Sequence, residues 1–375
     1  MKNLTYLIGS LTAHGGIERI ITEKANALAE TGCYDVTVIC VWQKSSNDNV
    51  FDLSPLVTQV CMGGAGKHIA TFGKSPFAYI YNCVRNELQL KKRIDVLLRQ
   101  RHTDVLIVTV NYVPMSFYTF RGKKILEIHG NVVELTKLRT FPFLSKWLTR
   151  IAARCASVVV ALTYEDARNW QWARRVQVIP NFVSLHCNKL CNYDSKRVVA
   201  LGRLDEQKGF DMLIDAWNIV SRKHPEWKLD IYGNGCLKES LQKQIADLEL
   251  THCIALHPFT KDVVNVLASV SFYAMSSRHE GFALVLIEAM SCGLPCVAFD
   301  CPSGPRELIE NEKNGVLVSF RGLTRDERVK NFAVATCWMI EQDELPAMGQ
   351  CAKATSQQFT VEKVLLMWKE LFESM

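Results

Sequence analysis

The sequence predicts an α/β protein of two domains, each built on a parallel sheet, and three observations carry that reading. First, 375 residues exceed the roughly 250–300 at which a single hydrophobic core stops growing. Second, apolar β-branched runs alternate with longer segments of helical spacing, the pattern of βα units. Third, the residues after those runs are glycines, charges and amides, as at the carboxyl edge of an open parallel sheet, where ligands bind. Hydrophobic residues form 48% of the chain and charged ones 22%, without low-complexity tracts or a fixed repeat, which excludes disordered and solenoid classes.

In the first half the strand candidates are LTYLIGS (4–10), DVTVICVW (35–42), DVLIVTV (104–110), KILEIH (124–129), SVVVAL (157–162) and VQVIP (176–180). In the second they are RVVALG (197–202), KLDIYG (228–233), CIALHP (253–258), VSFYAM (270–275), PCVAFD (295–300) and GVLVS (315–319). Two sets of six suggest two similar halves. The segment NFVSLHCNKLCNYDSKR, 181–197, follows neither period and reads as a linker, so the domains are expected at 1–181 and 197–355. The last helix, VEKVLLMWKELFES (361–374), can dock on either. The first-domain loop 44–75 carries no readable signal.

The chain opens MKNLTYLIGSL, entering a strand at once without a cleavable signal, so a cytoplasmic protein with reduced thiols is expected despite fourteen cysteines. Cys187-x3-Cys191 and Cys292-x3-Cys296-x4-Cys301 lack the spacing of a structural zinc site, while Cys40 and Cys296 lie in apolar runs and read as small core residues. Neither a metal nor a cofactor is expected. With no uninterrupted stretch of about 18 apolar residues, no membrane span is predicted. The net charge of +6 is uneven: between Arg121 and Arg154 eight Lys/Arg face only Glu127 and Glu134, and KKRIDVLLRQRH (91–102) adds a second basic cluster. Within this region FPFLSKWLTRIAAR, 141–154, fits a basic amphipathic helix lying on an anionic bilayer, and equally a solvated helix face covering a sheet.

The strand ends hold the candidate site residues: Gly15-Gly16, Asn111, His129-Gly130, Arg203 to Lys208, Gly233-Asn234-Gly235 and Ser276 to Glu280. Gly15 and Gly16 precede an amphipathic helix, where glycine allows close backbone approach and helix-start amides attract anions. The spacing is not that of a dinucleotide fingerprint, which disfavours a nicotinamide enzyme. In GRLDEQKGFDML (202–213), Arg203 and Lys208 sit on the strand-to-helix loop, where a guanidinium fork and an ammonium can neutralise a diphosphate or form surface ion pairs with Asp205 and Glu206.

RHEGFALVLIEAMSCG (278–293) poses the sharper question, because Glu288 lies in a helix apolar on almost every side. Burying a carboxylate costs roughly several kcal/mol unless something pairs with it. Either ribose hydroxyls of a nucleoside satisfy it or Arg306 does. Glu280 ends the preceding loop, and Gly281-Phe282-Ala283 open the helix with N–H groups suited to a phosphate. His129, in LEIHGN, can donate to a sugar hydroxyl or leaving oxygen, or be a structural histidine.

EGFALVLIEAMSCGLP with Glu280 and Glu288 at the E-x7-E spacing, GRLDEQKG, GG-x-E-R near the start, IHGN, and VIPNFV at 178–183 together resemble the family 4 retaining glycosyltransferases of GT-B architecture. FDCPSGPRELI at 299–309 resembles the branch that builds bacterial surface polysaccharides. The resemblance implies two Rossmann-like α/β/α domains whose parallel sheets face each other across a cleft, with the acceptor on the N-terminal domain and a nucleotide sugar on the C-terminal one. It further implies that the helix 361–374 crosses back onto the first domain. Arg203 and Lys208 would hold the donor diphosphate, with Gly233, Gly281, Phe282 and Ala283 also at the donor. Glu288 would hold the ribose, Glu280 the donor sugar hydroxyls, and His129 a sugar hydroxyl from the other domain. Gly15 and Gly16 would lie at the acceptor side of the donor phosphates. By the same analogy Glu280, His129, Arg203 and Lys208 are the candidate catalytic set. The implied partners are a UDP-sugar and a glycan or polyprenyl-linked acceptor; the basic residues 121–154 add an anionic membrane surface met peripherally, and no nucleic acid is expected. No D-x-D motif ends a strand to chelate a divalent ion. The rival readings are a GT-B sugar-nucleotide 2-epimerase and a non-catalytic partner in polysaccharide assembly.

Overall fold

The computed structural model describes residues 1–13, 15–63, 76–109, 120–130, 142–185, 187, 189 and 191–375. Asn111, residues 64–75 of the first-domain loop and residues 131–141 of the basic stretch lie outside those described. The chain forms two units, Met1–Pro180 with Val364–Met375, and Asn181–Lys363.

The first unit carries a seven-stranded parallel sheet of β1 (Lys2–Ile8), β2 (Tyr34–Cys40), β3 (Val57–Cys61), β4 (Val105–Val108), β5 (Lys123–Glu127), β6 (Val158–Ala161) and β7 (Val176–Val178), in the order β3-β2-β1-β4-β5-β6-β7. Its inner strands are buried along most of their length, which is why they read as unbroken apolar runs. Helix α1 (Gly16–Glu30) turns Ile20, Ile21, Ala25 and Leu28 inward, the stripe its 3.6 period requires. Helices α2 (Pro76–Gln100) and α3 (Pro142–Cys155) contribute Ile94, Leu98 and Ala153 to a core shared with Leu7, Leu106, Leu126 and Trp170. The sequence named six strands here, and β3 corrects that number. It is an edge strand, VTQVC, in which only Val57 is buried, so its apolar signal was too weak to stand out from the 44–75 loop.

The second unit carries all six strands read from the sequence: β8 (Arg197–Leu201), β9 (Lys228–Tyr232), β10 (Ile254–His257), β11 (Phe272–Met275), β12 (Cys296–Phe299) and β13 (Gly315–Val318), ordered β10-β9-β8-β11-β12-β13. The order reverses between β8 and β11, and a doubly wound sheet opens a crevice for ligands at such a point. Helices α4 (Phe210–Lys223) and α5 (Lys238–Asp247) pack with α7 (Arg325–Ile340) and α8 (Leu345–Ser356) around a core that includes Trp217, Leu229, Phe299 and Phe332. Thr324 and Glu327 form a reciprocal capping box at the start of α7. Helix α6 (Leu284–Ser291), the apolar helix of the sequence, lies against β11, β12 and α8. Where β8 and β9 end, only glycine fits: a Cβ on Gly233 would sit 1.8 Å from the Gly202 carbonyl oxygen.

Segment 181–197, expected as a linker, packs on the second unit through Tyr193 Oη, which donates to the Gly293 carbonyl at 2.7 Å, and Asn192 N, which donates to Ala268 at 3.0 Å. The last helix, α9 (Val361–Glu373), belongs to the first unit from Val364 onward. Its Trp368, Leu371 and Phe372 are buried there, with the Phe372 ring edge-on to Tyr34 at 5.4 Å and its carbonyl accepting from Lys2 Nζ at 2.5 Å. No helix among the described residues is long and apolar enough to cross a membrane. Because Trp368 is 1% exposed and is the largest side chain α9 contributes, Trp368→Ala should destabilise the fold by about 3–5 kcal/mol, read from urea melts.

Candidate active site

The loops that follow β8 and β11 are joined residue by residue. Asp205 accepts from Lys208 N at 3.2 Å, closing a short 3₁₀ turn at Glu206–Lys208. Gly209 then adopts the left-handed conformation (φ 64°), and a Cβ there would lie 2.2 Å from the Ser276 carbonyl oxygen. Ser276 Oγ donates to the Lys208 carbonyl at 2.9 Å. Gln207 Nε2 donates to the His279 carbonyl at 3.0 Å, and Arg278 N donates to the Gln207 carbonyl at 2.7 Å. Across this seam Lys208 Nζ donates to Glu280 Oε1 at 2.7 Å, with the two side chains only 16% and 7% exposed.

Arg278 anchors the β11 loop from behind. Its guanidinium holds Asp211 of α4 through two bonds, 2.8 and 2.7 Å, and also donates to the Glu206 carbonyl at 2.7 Å. Arg325 adds contacts to Asp211 at 3.3 Å and Asp215 at 2.6 Å. Burial pushes the Asp211 carboxyl up, but Arg278 and Arg325 outweigh it and hold the group below its ordinary range.

Beyond Glu280, whose N–H donates to the Pro302 carbonyl at 3.1 Å, the chain turns sharply. The sequence placed Ala283 inside the helix; instead it precedes α6 in the left-handed conformation, φ 59° and ψ 54°. Such a conformation costs a non-glycine residue about 1–2 kcal/mol. Followed by right-handed helical residues, it makes the concave run of N–H groups that suits an anion. The N–H groups of Gly281, Phe282, Ala283, Leu284 and Val285 donate to no backbone carbonyl among the described residues. Phe282 is buried and meets Phe359 edge-on at 5.4 Å.

Glu288 is 4% exposed, one turn into α6. Tyr273 belongs to β11: its hydroxyl donates to the Leu201 carbonyl at 3.3 Å, and burial, then Glu280 and more weakly Glu288, push its phenol far above the ordinary value. One ring thus senses both carboxylates. Arg306, considered from sequence as the partner of Glu288, bonds Asp300 through Nε at 2.9 Å and through a terminal nitrogen. Arg203 is 58% exposed and bonds Asp205 at 3.1 Å and Gln207 at 3.2 Å, the surface pairing the sequence offered as its alternative.

In the first unit, Gly15 caps α1 with no side-chain bond and Gly16 begins it. The His129 side chain, 2% exposed, follows β5 with Nε2 3.2 Å from Glu127 Oε1. That oxygen also receives Lys24 Nζ from α1. Sequence reasoning missed Lys24, Glu127, Asp211 and Tyr273, and gave no role to Gln207 or Arg278 although both lie in stretches it named. One signal was available: Lys24 stands in the apolar stripe of α1, four residues after Ile20 and three after Ile21.

The family model for Glycosyltransferase Family 4 matches residues 14–186, and that for Glycosyl transferases group 1 matches residues 188–327. The chain belongs to this glycosyltransferase family. A glycosyltransferase of Haemophilus influenzae is 29% identical over 98% of the chain and 99% of its own length. The amylovoran biosynthesis glycosyltransferase AmsD of Erwinia amylovora is 26% identical over 93% of the chain and 97% of its own length. Among solved structures, Staphylococcus aureus TarM in complex with fondaparinux, alpha-GlcNAc-glycerol and UDP aligns over 99% of this chain and 100% of that one, with TM-score 0.78 and 17% identity. Anabaena HepE in complex with UDP and glucose aligns over 100% of both chains with TM-score 0.74 and 18% identity. The fold of this family 4 glycosyltransferase is therefore GT-B, with two Rossmann-like parallel-sheet units.

The Asp211 network gives a pH test. A carboxyl held below its ordinary value of 3.8 contributes stability above that value and loses it as pH falls through its lower value in the fold. With Arg278→Met the Asp211 carboxyl should rise toward the ordinary range, so urea stability should fall less between neutral pH and about pH 3 than in the parent protein.

Proposed function

We propose that this family 4 enzyme is a retaining, metal-independent glycosyltransferase. It moves a hexose or N-acetylhexosamine from a UDP-linked sugar to a glycan or polyprenyl-linked acceptor in the biosynthesis of a surface polysaccharide. The observation that carries the reading is the largely buried Lys208–Glu280 pair, at 2.7 Å, followed in sequence after Glu280 by the amides of Gly281 to Val285, which donate to no backbone carbonyl among the described residues, at the sheet's switch point. A phosphate needs cations and N–H donors, a sugar needs a carboxylate that accepts from hydroxyls, and here the two are adjacent. Support comes from the TarM and HepE complexes, which contain UDP, and from AmsD, which is named for amylovoran biosynthesis. The relatives are transferases, which favours transfer over isomerisation of the sugar nucleotide.

In this reading Lys208 and Arg203 hold the diphosphate. Arg203 has an exposed ion pair with Asp205, worth about 0–1 kcal/mol, and an exposed hydrogen bond to Gln207 to surrender, so exchanging them for phosphate costs little. Gly233 keeps the adjoining strand end close enough for the backbone to approach, and Gly281, Phe282 and Ala283 offer N–H groups to the phosphates. Glu288 takes the ribose hydroxyls, Glu280 the sugar hydroxyls and His129 a further sugar hydroxyl, while Gly15 and Gly16 face the phosphates from the acceptor side. As the bond from the anomeric carbon to the diphosphate breaks, the acceptor oxygen bonds that carbon on the same face. A leaving phosphate oxygen takes the acceptor proton, and UDP departs. The charge that develops on the leaving group meets cations and dipoles already in place.

Replacing either partner, by Glu280→Ala or Lys208→Ala, should lower transfer by roughly 10²- to 10³-fold or more while circular dichroism still reports a folded protein. Full activity in a purified double variant removes the assignment.

The acceptor side of the proposal includes an anionic membrane surface. On α3 the exposed residues Trp147, Arg150 and Arg154 recur at helical spacing, with Trp147 58% exposed, while Ala153 faces the core. An aromatic among arginines suits the headgroup layer. Binding to vesicles containing phosphatidylserine should be measurable by sedimentation at low salt, should weaken as salt rises, and should fall in Trp147→Ala/Arg150→Ala.

A further inference from the structure

We propose that Glu127, itself held by Lys24, is the positioning residue for His129: its carboxylate fixes the proton on Nε2 and leaves Nδ1 as the acceptor nitrogen. The inference rests on the reading of His129 given under Proposed function and adds two residues that reading does not use. Glu127 ends β5 and His129 stands two residues later, the strand spacing that puts both side chains on one face. Lys24 reaches the same oxygen from the middle of α1, so one carboxylate atom takes Lys24 Nζ on one side and lies 3.2 Å from His129 Nε2 on the other. All three side chains are at most 2% exposed.

Packing does not explain this arrangement. Two buried ions give up their hydration, and well-packed apolar residues would fill the same space at no loss of stability. The ions are nevertheless held firmly. Lys24 Nζ lies 4.5 Å from the Trp368 ring of α9 and 5.7 Å from the Tyr6 ring of β1, both cation-binding faces. Burial would raise the Glu127 carboxyl, yet Lys24 and His129 outweigh it and keep it at about 2, so it is a carboxylate throughout the working range. A carboxylate accepts and never donates, so the nitrogen that faces it must carry the proton. Both ring nitrogens are buried; neither has a geometrically complete hydrogen bond among the described residues, but Nε2 stands 3.2 Å from the Glu127 carboxylate and Nδ1 faces no such ion-pair partner there. A hydrogen-bonded acid behind an imidazole sets both its tautomer and its orientation.

The test compares Lys24→Met/Glu127→Leu, which removes both buried charges together, with His129→Ala and the parent enzyme. The double variant should stay folded by thermal melt. Its kcat should fall about 10- to 100-fold with donor KM within about twofold, the size of effect expected when a residue behind a functional imidazole is removed. Imidazole ¹⁵N shifts, with His129 assigned by its loss in His129→Ala, should report the Nε2–H form in the parent and a mixture of tautomers in the double variant. A purely structural role predicts parental kcat in the folded double variant, which overturns the inference. An Nδ1–H form or a tautomer mixture in the parent overturns it too, and that measurement stands even where the variant does not fold. Full transfer by His129→Ala instead removes the reading of His129 on which the inference rests, so the two failures are distinguishable.

Discussion

The second unit depends on one contact, the ammonium of Lys208 against the carboxylate of Glu280. The two residues sit on loops that follow different strands, β8 and β11, which are neighbours only because the sheet reverses its order there. A pair so nearly buried adds little to stability, since the hydration both ions lose offsets most of their attraction. What it supplies is placement. Every further bond along the seam, from Ser276 to the Lys208 carbonyl, from Gln207 to the His279 carbonyl and from Arg278 to Gln207, keeps these two side chains facing each other. The glycine at 209 is required by the same closeness, because the Ser276 carbonyl leaves no room for a side chain.

Arg278 shows how such a seam is kept rigid at moderate cost. Its guanidinium is planar and presents several donors in a fixed fork, so two bonds to Asp211 and one to the Glu206 carbonyl can form without strain. Lysine could not do the same. The residue therefore ties the start of α4 to the β11 loop, and the acid at 280 inherits a position set by α4, β8 and β11 together. A side chain held from three elements is preorganised, and preorganisation is the property electrostatic stabilisation of a leaving group needs.

Much of this was legible in the sequence, for physical reasons. The second unit's strands are short and mostly apolar, with β11 and β12 buried throughout and β8 buried after Arg197, and each run is interrupted at its end by a glycine or a polar residue, so all six could be read. Glu288 was conspicuous because a carboxylate inside an apolar helix demands explanation. β3 was hidden because an edge strand has one solvated side and no continuous apolar run. Ala283 was misplaced because helical spacing says where apolar residues fall and nothing of a left-handed turn just before them. The roles of Lys24, Glu127 and Arg278 depend on partners distant in sequence, 103 residues apart for Lys24 and Glu127 and 67 for Arg278 and Asp211, which no local pattern can pair.

Ala283 also shows which force decides the local geometry. A left-handed alanine costs about 1–2 kcal/mol, a sizeable fraction of the few kcal/mol that separate most folded and unfolded chains. The helix it introduces buries Leu286, Ile287, Ala289 and Met290 completely, and burying a leucine or isoleucine side chain contributes about 1.5–3 kcal/mol each. Packing of α6 thus exceeds the strain at its start, and the strained turn persists. Its consequence is electrical: a left-handed residue followed by right-handed ones directs successive N–H groups to one side, next to the helix end that already carries partial positive charge. The apolar core of the second unit thereby holds in place the amides that lie in sequence beside Glu280.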